Sequence, residues 1–337
     1  MHSRNGRDIL NKKRLQKIAR IALPTSLAVV ISFFLLKEID LKEIPETLSK
    51  ISIRSVLIGF CCYCLLVLAK TLRFRTLLGL DSSVRQILPI LALHTFWGNF
   101  LPMRTGDISY VYLMQRRQKV DATQGIASLM VASVIDLALL IALMVVTATL
   151  LLPKLGGKFS WTVLYLTPLL IGTGLIILMI LACAAPNFCN NLALRSVKPL
   201  LNSEKPALKW IANKFITILN EITAFRFNLL FLKVWGYSLL CLAIRFGFQC
   251  YLVAEMGVNI PLTEVLFALA FTNGFNLLPI QTVGNFGTTE FPFAWFLNYF
   301  GTSIETATVT GFSLHILILL YCLPLGIYGF FSKSKEQ

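Results

Sequence analysis

Five ionisable side chains, Arg104, Asp107, Asp136, Arg245 and Glu290, stand within or beside long apolar runs. An ionisable group at the bilayer centre costs about 2.5–3.5 kcal/mol on insertion scales, so each needs a partner, a watery cavity or a function. Arg104 offers a planar guanidinium that can clasp a phosphate through a fork of hydrogen bonds. Asp136 and Arg245 each lie deep in an apolar run. Either they form an ion pair that pins two helices, or they serve ligand binding and coupling. Glu290 either favours the start of the helix that follows it or accepts a proton on desolvation. His94 and His315 have no acidic residue at helical spacing and are expected as packed, hydrogen-bonded histidines.

Three of these charges sit in or next to a phrase the chain writes twice. "NFLPMRT" at 99–105 returns as "NLLPIQT" at 276–282, and each copy is followed within two residues by a glycine, Gly106 or Gly284. Pro102 and Pro279 each lack an N–H and push the preceding leucine out of helical geometry. Gly106, Gly284 and Gly287 permit the turns and close approaches that must follow. Around them Asn99, Thr105, Asn276, Gln281, Thr282, Asn285, Thr288 and Thr289 supply neutral donors and acceptors, which either cap broken helix ends or orient a polar ligand. The expected binding set is Asn99, Arg104, Thr105, Asp107, Asn276, Gln281, Thr282 and Asn285, with Asp136, Arg245 and Glu290 for gating or coupling. The copies differ where it matters: Arg104 in the first is matched by neutral Gln281 in the second.

The elements that carry these residues are membrane helices. Of 337 residues 56% are hydrophobic and only 14% charged, with mean hydropathy +0.73, which excludes an ordinary soluble domain. Six runs approach the roughly 20 residues needed to cross a bilayer: Ile21 to Leu36 with flanks, Ile53 to Thr71, Ala122 to Leu152, Trp161 to Ala184, Leu229 to Ala254 and Ile304 to Phe331. Two others, Ile87 to Gln115 and Leu262 to Phe300, are broken by the repeated phrase, and neither second arm is long enough to cross. If both turn back, 22 of the 31 basic residues fall on the side of the N-terminus and six on the other, a positive-inside pattern with both termini cytoplasmic.

The predicted fold is therefore an all-α polytopic membrane protein with six spanning helices plus two re-entrant helical hairpins in an inverted repeat. Residues 1–337 form a single membrane domain: a basic cytoplasmic N-terminus at 1–20, a first repeat at 21–152, and a second, inverted repeat at 161–331 that includes a cytoplasmic amphipathic segment within 185–228. Non-helical backbone at membrane depth must be covered by protein or line a cavity, so the two tips predict one.

The net charge of +15 is spread between apolar runs rather than along a soluble face, which points to anionic lipid headgroups at the cytoplasmic face and not to nucleic acid. Lys70, Arg73 and Arg75 read as topology anchors or as a headgroup-collecting cluster. From Leu208 to Ile222, apolar residues recur at helical spacing, as in a helix lying on the inner leaflet. The eight cysteines lie mostly within apolar runs without metal-ligand spacing; free thiols, no metal and no cofactor are expected. No cleavable signal peptide is expected either, because the first apolar run lacks a cleavage site.

The sequence also resembles a known family, the flippase-like membrane domain of lysylphosphatidylglycerol synthases and its stand-alone relatives. The likeness covers nearly the whole chain and rests on "LRFRTLLG" (72–79), "NFLPMRTGDISYVYLMQRR" (99–117) and "LLPIQTVGNFGTTEFPFAWFLNYFGTSIETA" (277–307). Pro102, Arg104, Gly106, Asp107, Arg116 and Arg117 match one family pattern, and Gly284, Gly287 and Glu290 another. The resemblance departs at "VASVID", where Ala132 and Ser133 replace the family's glutamate–arginine pair before Asp136; Arg245 stands in for the lost charge or Asp136 is differently partnered. It implies a lipid flippase of the bacterial inner membrane that moves an anionic lipid or lipid-linked headgroup. Lysyl transfer is not expected, since these residues include no soluble synthase segment. Rival readings are an ion-coupled carrier of a small soluble anion, an enzyme acting on lipid phosphates, and a non-transporting partner of a cell-envelope enzyme. The enzyme reading is disfavoured because no membrane-embedded His/Asp cluster is evident.

Overall fold

The computed structural model describes residues 40, 42–101, 105–155, 186–202, 229–276 and 282–332, with isolated positions (170, 174, 208, 209, 212, 213, 216, 217, 220) between them. The basic N-terminus, the expected span at 21–36, all but two positions of the one at 161–184 and eight of the fifteen positions of the amphipathic stretch at 208–222 lie outside the described residues. Among those described there is no strand. The helices are α1 (Glu43–Lys50), α2 (Ile53–Leu77), α3 (Val84–Phe100), α4 (Thr105–Gln118), α5 (Ala122–Leu150), the single turn α6 (Leu152–Leu155), α7 (Pro186–Leu201), α8 (Leu229–Glu255), α9 (Leu262–Phe275), α10 (Glu290–Tyr299) and α11 (Ile304–Phe331).

Four helices, α2, α5, α8 and α11, have 25, 29, 27 and 28 residues and are long and apolar enough to cross a membrane. Their outward faces expose large apolar side chains, among them Leu57, Val146, Leu232, Leu239, Leu320 and Ile327, as a lipid-facing surface requires. The chain is a multi-pass membrane protein. Three of these spans begin at a residue whose side chain takes up an orphan N–H of the first turn. Ser52 accepts from Ser55 N (3.1 Å), Asp121 from Thr123 N (2.7 Å) and Ser303 from Thr306 N (3.2 Å).

Between the spans lie two helix–break–helix units. In the first, Ser83 and Gln86 form a reciprocal cap that opens α3, and the helix ends where Leu101, which precedes Pro102, turns extended (φ −95, ψ 140). Chain direction then reverses into α4, and the side-chain amide of Gln118 at its end reaches the Gln86 carbonyl at the start of α3. In the second unit α9 and α10 are zipped by Phe267, Phe271, Phe296 and Phe300, with ring centroids 4.3–5.6 Å apart. The arms of 17, 14, 14 and 10 residues are all too short to cross about 30 Å of hydrocarbon.

The units open toward opposite ends of the bundle. The mouth of the first lies beside the end of α11, where Arg117 reaches the Gly329 carbonyl. The mouth of the second lies beside the end of α5, where Lys154 is ion-paired with the buried Glu264 at the start of α9. Packing follows a reciprocal scheme: α2 lies along α8, α3 along α11 and α9 along α5. The first arm of each unit thus rests on the last span of the other half. The tips converge, since α3 also touches the short 3-10 turn Val283–Asn285. One continuous core runs through all these contacts, from Tyr63 and Ile90 to Phe267, Phe293 and Tyr321.

Candidate functional site

The converging tips enclose a polar cavity in two adjoining lobes of about 290 and 210 Å³. Lys70, His94, Asp107, Arg245 and Asn273 line both lobes and so mark their junction. The larger lobe extends over Asn99, Gln249, Asn276, Asn285 and Thr289 to His315. The smaller lobe extends over Arg73, Ser133 and Asp136 to Cys241. Both broken units, the α2–α8 pair, α5 and α11 all contribute, as expected of tips that carry polar backbone into an apolar bundle.

Of the expected binding residues, Asn99, Asp107, Asn276 and Asn285 line this cavity, and so do Asp136 and Arg245. Asn99 donates to the Thr95 carbonyl one turn back (2.7 Å) and approaches the Tyr63 hydroxyl (3.4 Å), which fixes its amide at the end of α3. Thr289 donates to Asn276 Oδ1 across the second tip (3.4 Å). Thr282 does not face the cavity. It is fully buried, and its hydroxyl donates to the Phe286 carbonyl (2.6 Å), closing the turn. Pro102, Arg104, Pro279 and Gln281 lie outside the described residues, and so does the side chain of Thr105, whose backbone opens α4.

Glycine acts differently in the two tips. Gly106 in the first turn of α4 lies so close to α3 that a Cβ there would fall 2.5 Å from the Gly98 nitrogen. Gly284 and Gly287 instead adopt φ of +63° and +78°, a left-handed backbone that costs other residues about 1–2 kcal/mol. Asn285 between them takes φ +58°, for which asparagine is the tolerated substitute.

The ion pair considered between Asp136 and Arg245 is not formed. Asp136 is bonded instead by Arg73 (2.5 Å), which also donates to Ser238 on α8 (3.1 Å). Arg73 is 3% exposed, because α2 continues to Leu77, six residues past the apolar run ending at Thr71, and carries the guanidinium inward between α5 and α8. It is therefore a buried ion-pair partner rather than a topology anchor. Arg245, released from that role, has no hydrogen bond or ion pair among the described residues, and the same holds for Lys70.

The two histidines also have carboxyl partners that helical spacing did not reveal. His94 Nδ1 lies 3.1 Å from the Gly106 carbonyl, and its Nε2 lies 3.9 Å from Asp107 across the two arms of the first unit. His315 on α11 bonds Glu290, whose second oxygen accepts from the Gly287 N–H (2.7 Å). Glu290 is wholly buried, so it neither lines the cavity nor stands open at a helix start. These pairs join different helices, and a search along one helix cannot find them. The six described cysteines are free.

No curated protein and no solved structure matches the chain. The family model described as "Lysylphosphatidylglycerol synthase TM region" matches residues 19–326, and the chain belongs to that family.

Proposed function

We propose that the chain is a lipid flippase, not an enzyme, and that it passes an anionic lipid headgroup through the cavity while the acyl or prenyl tails stay in the bilayer. The observation that carries this is a polar cavity at the meeting point of two oppositely opening hairpins, holding two cations, Lys70 and Arg245, that form no ion pair among the described residues. A cavity of that kind attracts an anion and replaces its lost hydration.

The reciprocal packing of α3 on α11 and α9 on α5 supports an inverted repeat, the plan in which substrate sites form where broken helices meet and access alternates as one repeat rocks against the other. With this arrangement the hairpins are re-entrant, the spans at 21–36 and 161–184 complete six crossings, and the basic excess sets both termini on the cytoplasmic side of a bacterial inner membrane. Asn99, Asn276 and Asn285 orient the headgroup, Arg104 with Thr105 and Gln281 completes the tips, and Asp107, with Asp136 and Arg245, responds to its passage. Glu290 shapes the second tip through Gly287 and His315.

The test is headgroup translocation in proteoliposomes with fluorescent phospholipid and polyprenyl-phosphate probes, comparing wild type with Arg245→Gln and Arg104→Gln at equal folded yield. Translocation of a phosphate-bearing probe, with the rate falling at least about tenfold in either variant, is expected. Folded protein that moves no lipid probe overturns the proposal. Uptake of a soluble anion would then identify a carrier, and inertness toward both would leave a membrane scaffold for an envelope enzyme.

A further inference from the structure

The two lobes share the charged residues of their junction and differ beyond it, and this difference bears on which headgroup the cavity fits. At the junction Lys70 and Arg245 face the cavity unpaired, while in the smaller lobe Asp136 is already held by Arg73. A compact ammonium beside a planar guanidinium suits a phosphate, whose oxygens accept from both. Asp107, the one further carboxylate at the junction, lies on the His94 side.

Beyond the junction, where Lys70, Arg245 and Asp107 stand, the larger lobe presents mostly uncharged polar groups. Asn99, Gln249, Asn276, Asn285 and Thr289 line it, and the carboxylate in its lining is Asp107 at the junction; Glu290 behind the wall has one oxygen on the Gly287 N–H and the other on His315. Gln249 is 8% exposed, and its side-chain oxygen has no hydrogen-bond partner among the described residues; neither has that of Asn285. Unsatisfied buried acceptors are costly, and a ligand hydroxyl is the group that satisfies them. An ammonium among these amides would sit next to two cations, and the carboxylate that lines the lobe, Asp107, stands at the junction beside His94 rather than among the amides.

We infer that the cavity is a seat for a phosphate-bearing lipid whose headgroup beyond the phosphate is uncharged and rich in hydroxyls, with Lys70 and Arg245 on the phosphate and the amides of Gln249 and Asn285 on the hydroxyls. This rests on the flippase proposal for the lipid nature of the ligand, and it separates the chain from handling a cationic, aminoacylated headgroup. A polyol on a glycerophospholipid and a sugar on a polyprenyl phosphate share this chemistry.

The test is ligand retention by the full chain in detergent micelles, read by native mass spectrometry. Its probes are phosphatidylglycerol, a glycosyl phosphopolyprenol, phosphatidylmethanol, lysyl-phosphatidylglycerol, phosphatidylcholine and soluble glycerol 3-phosphate. Phosphatidylglycerol or the glycosyl phosphopolyprenol is expected to be retained about tenfold more tightly than lysyl-phosphatidylglycerol and phosphatidylcholine, and the better of the two identifies the source. Phosphatidylmethanol, a phosphodiester without hydroxyls, should fall between them. Lys70→Gln and Arg245→Gln should each weaken retention about tenfold, with Lys70→Arg restoring it, while Gln249→Leu with Asn285→Leu should erase the advantage over phosphatidylmethanol. Equal or tighter retention of the lysyl lipid overturns the inference, and so does parity between phosphatidylmethanol and phosphatidylglycerol in the folded wild type. Glycerol 3-phosphate held as tightly as the lipids overturns its lipid part. Selective retention without translocation sinks the flippase proposal and leaves the seat intact; translocation that favours the lysyl lipid does the reverse.

Discussion

The two broken units follow one plan with opposite allocations of charge. In α3–α4 the carboxylate, Asp107, is 37% exposed and lines the cavity, with His94 beside it on the other arm. In α9–α10 the carboxylate at the tip, Glu290, is wholly buried and spent on Gly287 and on His315 from a neighbouring span. The first unit achieves its tight junction by close helix approach at Gly106, and the second by left-handed backbone at Gly284 and Gly287. A fold can thus use the same helix–break–helix device once to present a charge and once to hold a turn. Each part of the comparison can be tested by substitution.

The largest effect is expected from Glu290→Ala, which strands the Gly287 N–H and the His315 ring in the interior. Removing one member of a buried pair costs about 3–5 kcal/mol, so a sharp loss of folded yield and of thermal midpoint in detergent should follow. Asp107→Ala should lower the midpoint less than Glu290→Ala while impairing translocation; equal destabilisation by the two would dissolve the contrast between the units.

Next comes Arg73→Ala. It frees Asp136, whose side chain is 44% exposed and partly reached by water, so a loss of about 2 kcal/mol is expected, smaller than for a fully buried pair. In a double-mutant cycle with Asp136→Ala, the coupling should account for most of that loss. Additive effects would mean that the two side chains act independently.

Smaller again is Gly106→Ala. Its methyl would press on the Gly98 backbone, at a cost of about 1–3 kcal/mol for overpacking. The reciprocal Gly98→Ala meets nothing within 4 Å and should be tolerated, so the thermal midpoints of the two variants should differ clearly. The smallest effect is expected at Gly284: alanine there adopts an unfavourable left-handed backbone at a cost of about 1–2 kcal/mol, and asparagine should recover part of it. If Gly284→Ala proves harsher than Gly106→Ala, the roles assigned to glycine in the two tips are reversed.

Much of the helical frame was legible in the sequence because its signals are local. The runs from Ile53, Ala122, Leu229 and Ile304 announced themselves by length and apolarity; the structure begins a helix at Ile53, Ala122 and Ile304 and is helical from Leu229 to Glu255. Proline and glycine marked both breaks. What local pattern could not show is pairing between helices. Arg73 sits after the apolar run that defined its span, and only the continuation of α2 to Leu77 reveals that it turns inward toward Asp136. His94 and His315 lacked acidic neighbours along their own helices because Asp107 and Glu290 approach from others. Helix α1, an eight-residue amphipathic segment against α11, was too short and too charged to be separated from a loop. The cavity residues Asn99, Asn276 and Asn285 were found because they flank the breaks, whereas Gln249 lies mid-span and gave no such cue, and Lys70 was read only as part of the basic cluster at the end of its span.

The pairing of α2 with α8 has a mechanical consequence. Near one end Ser55 is bonded to Glu255 (2.6 Å) and Tyr251 (2.8 Å); near the other Arg73 fastens Ser238 and, through Asp136, α5. The fastenings are 18 residues apart along α2, about 27 Å at the helical rise, which is most of a bilayer's depth. Two rods tied at both ends neither scissor nor slide past one another. The pair is braced near both ends, and in the proposed flippase any displacement that carries a headgroup from one side to the other falls to the hairpins hung on either side of it.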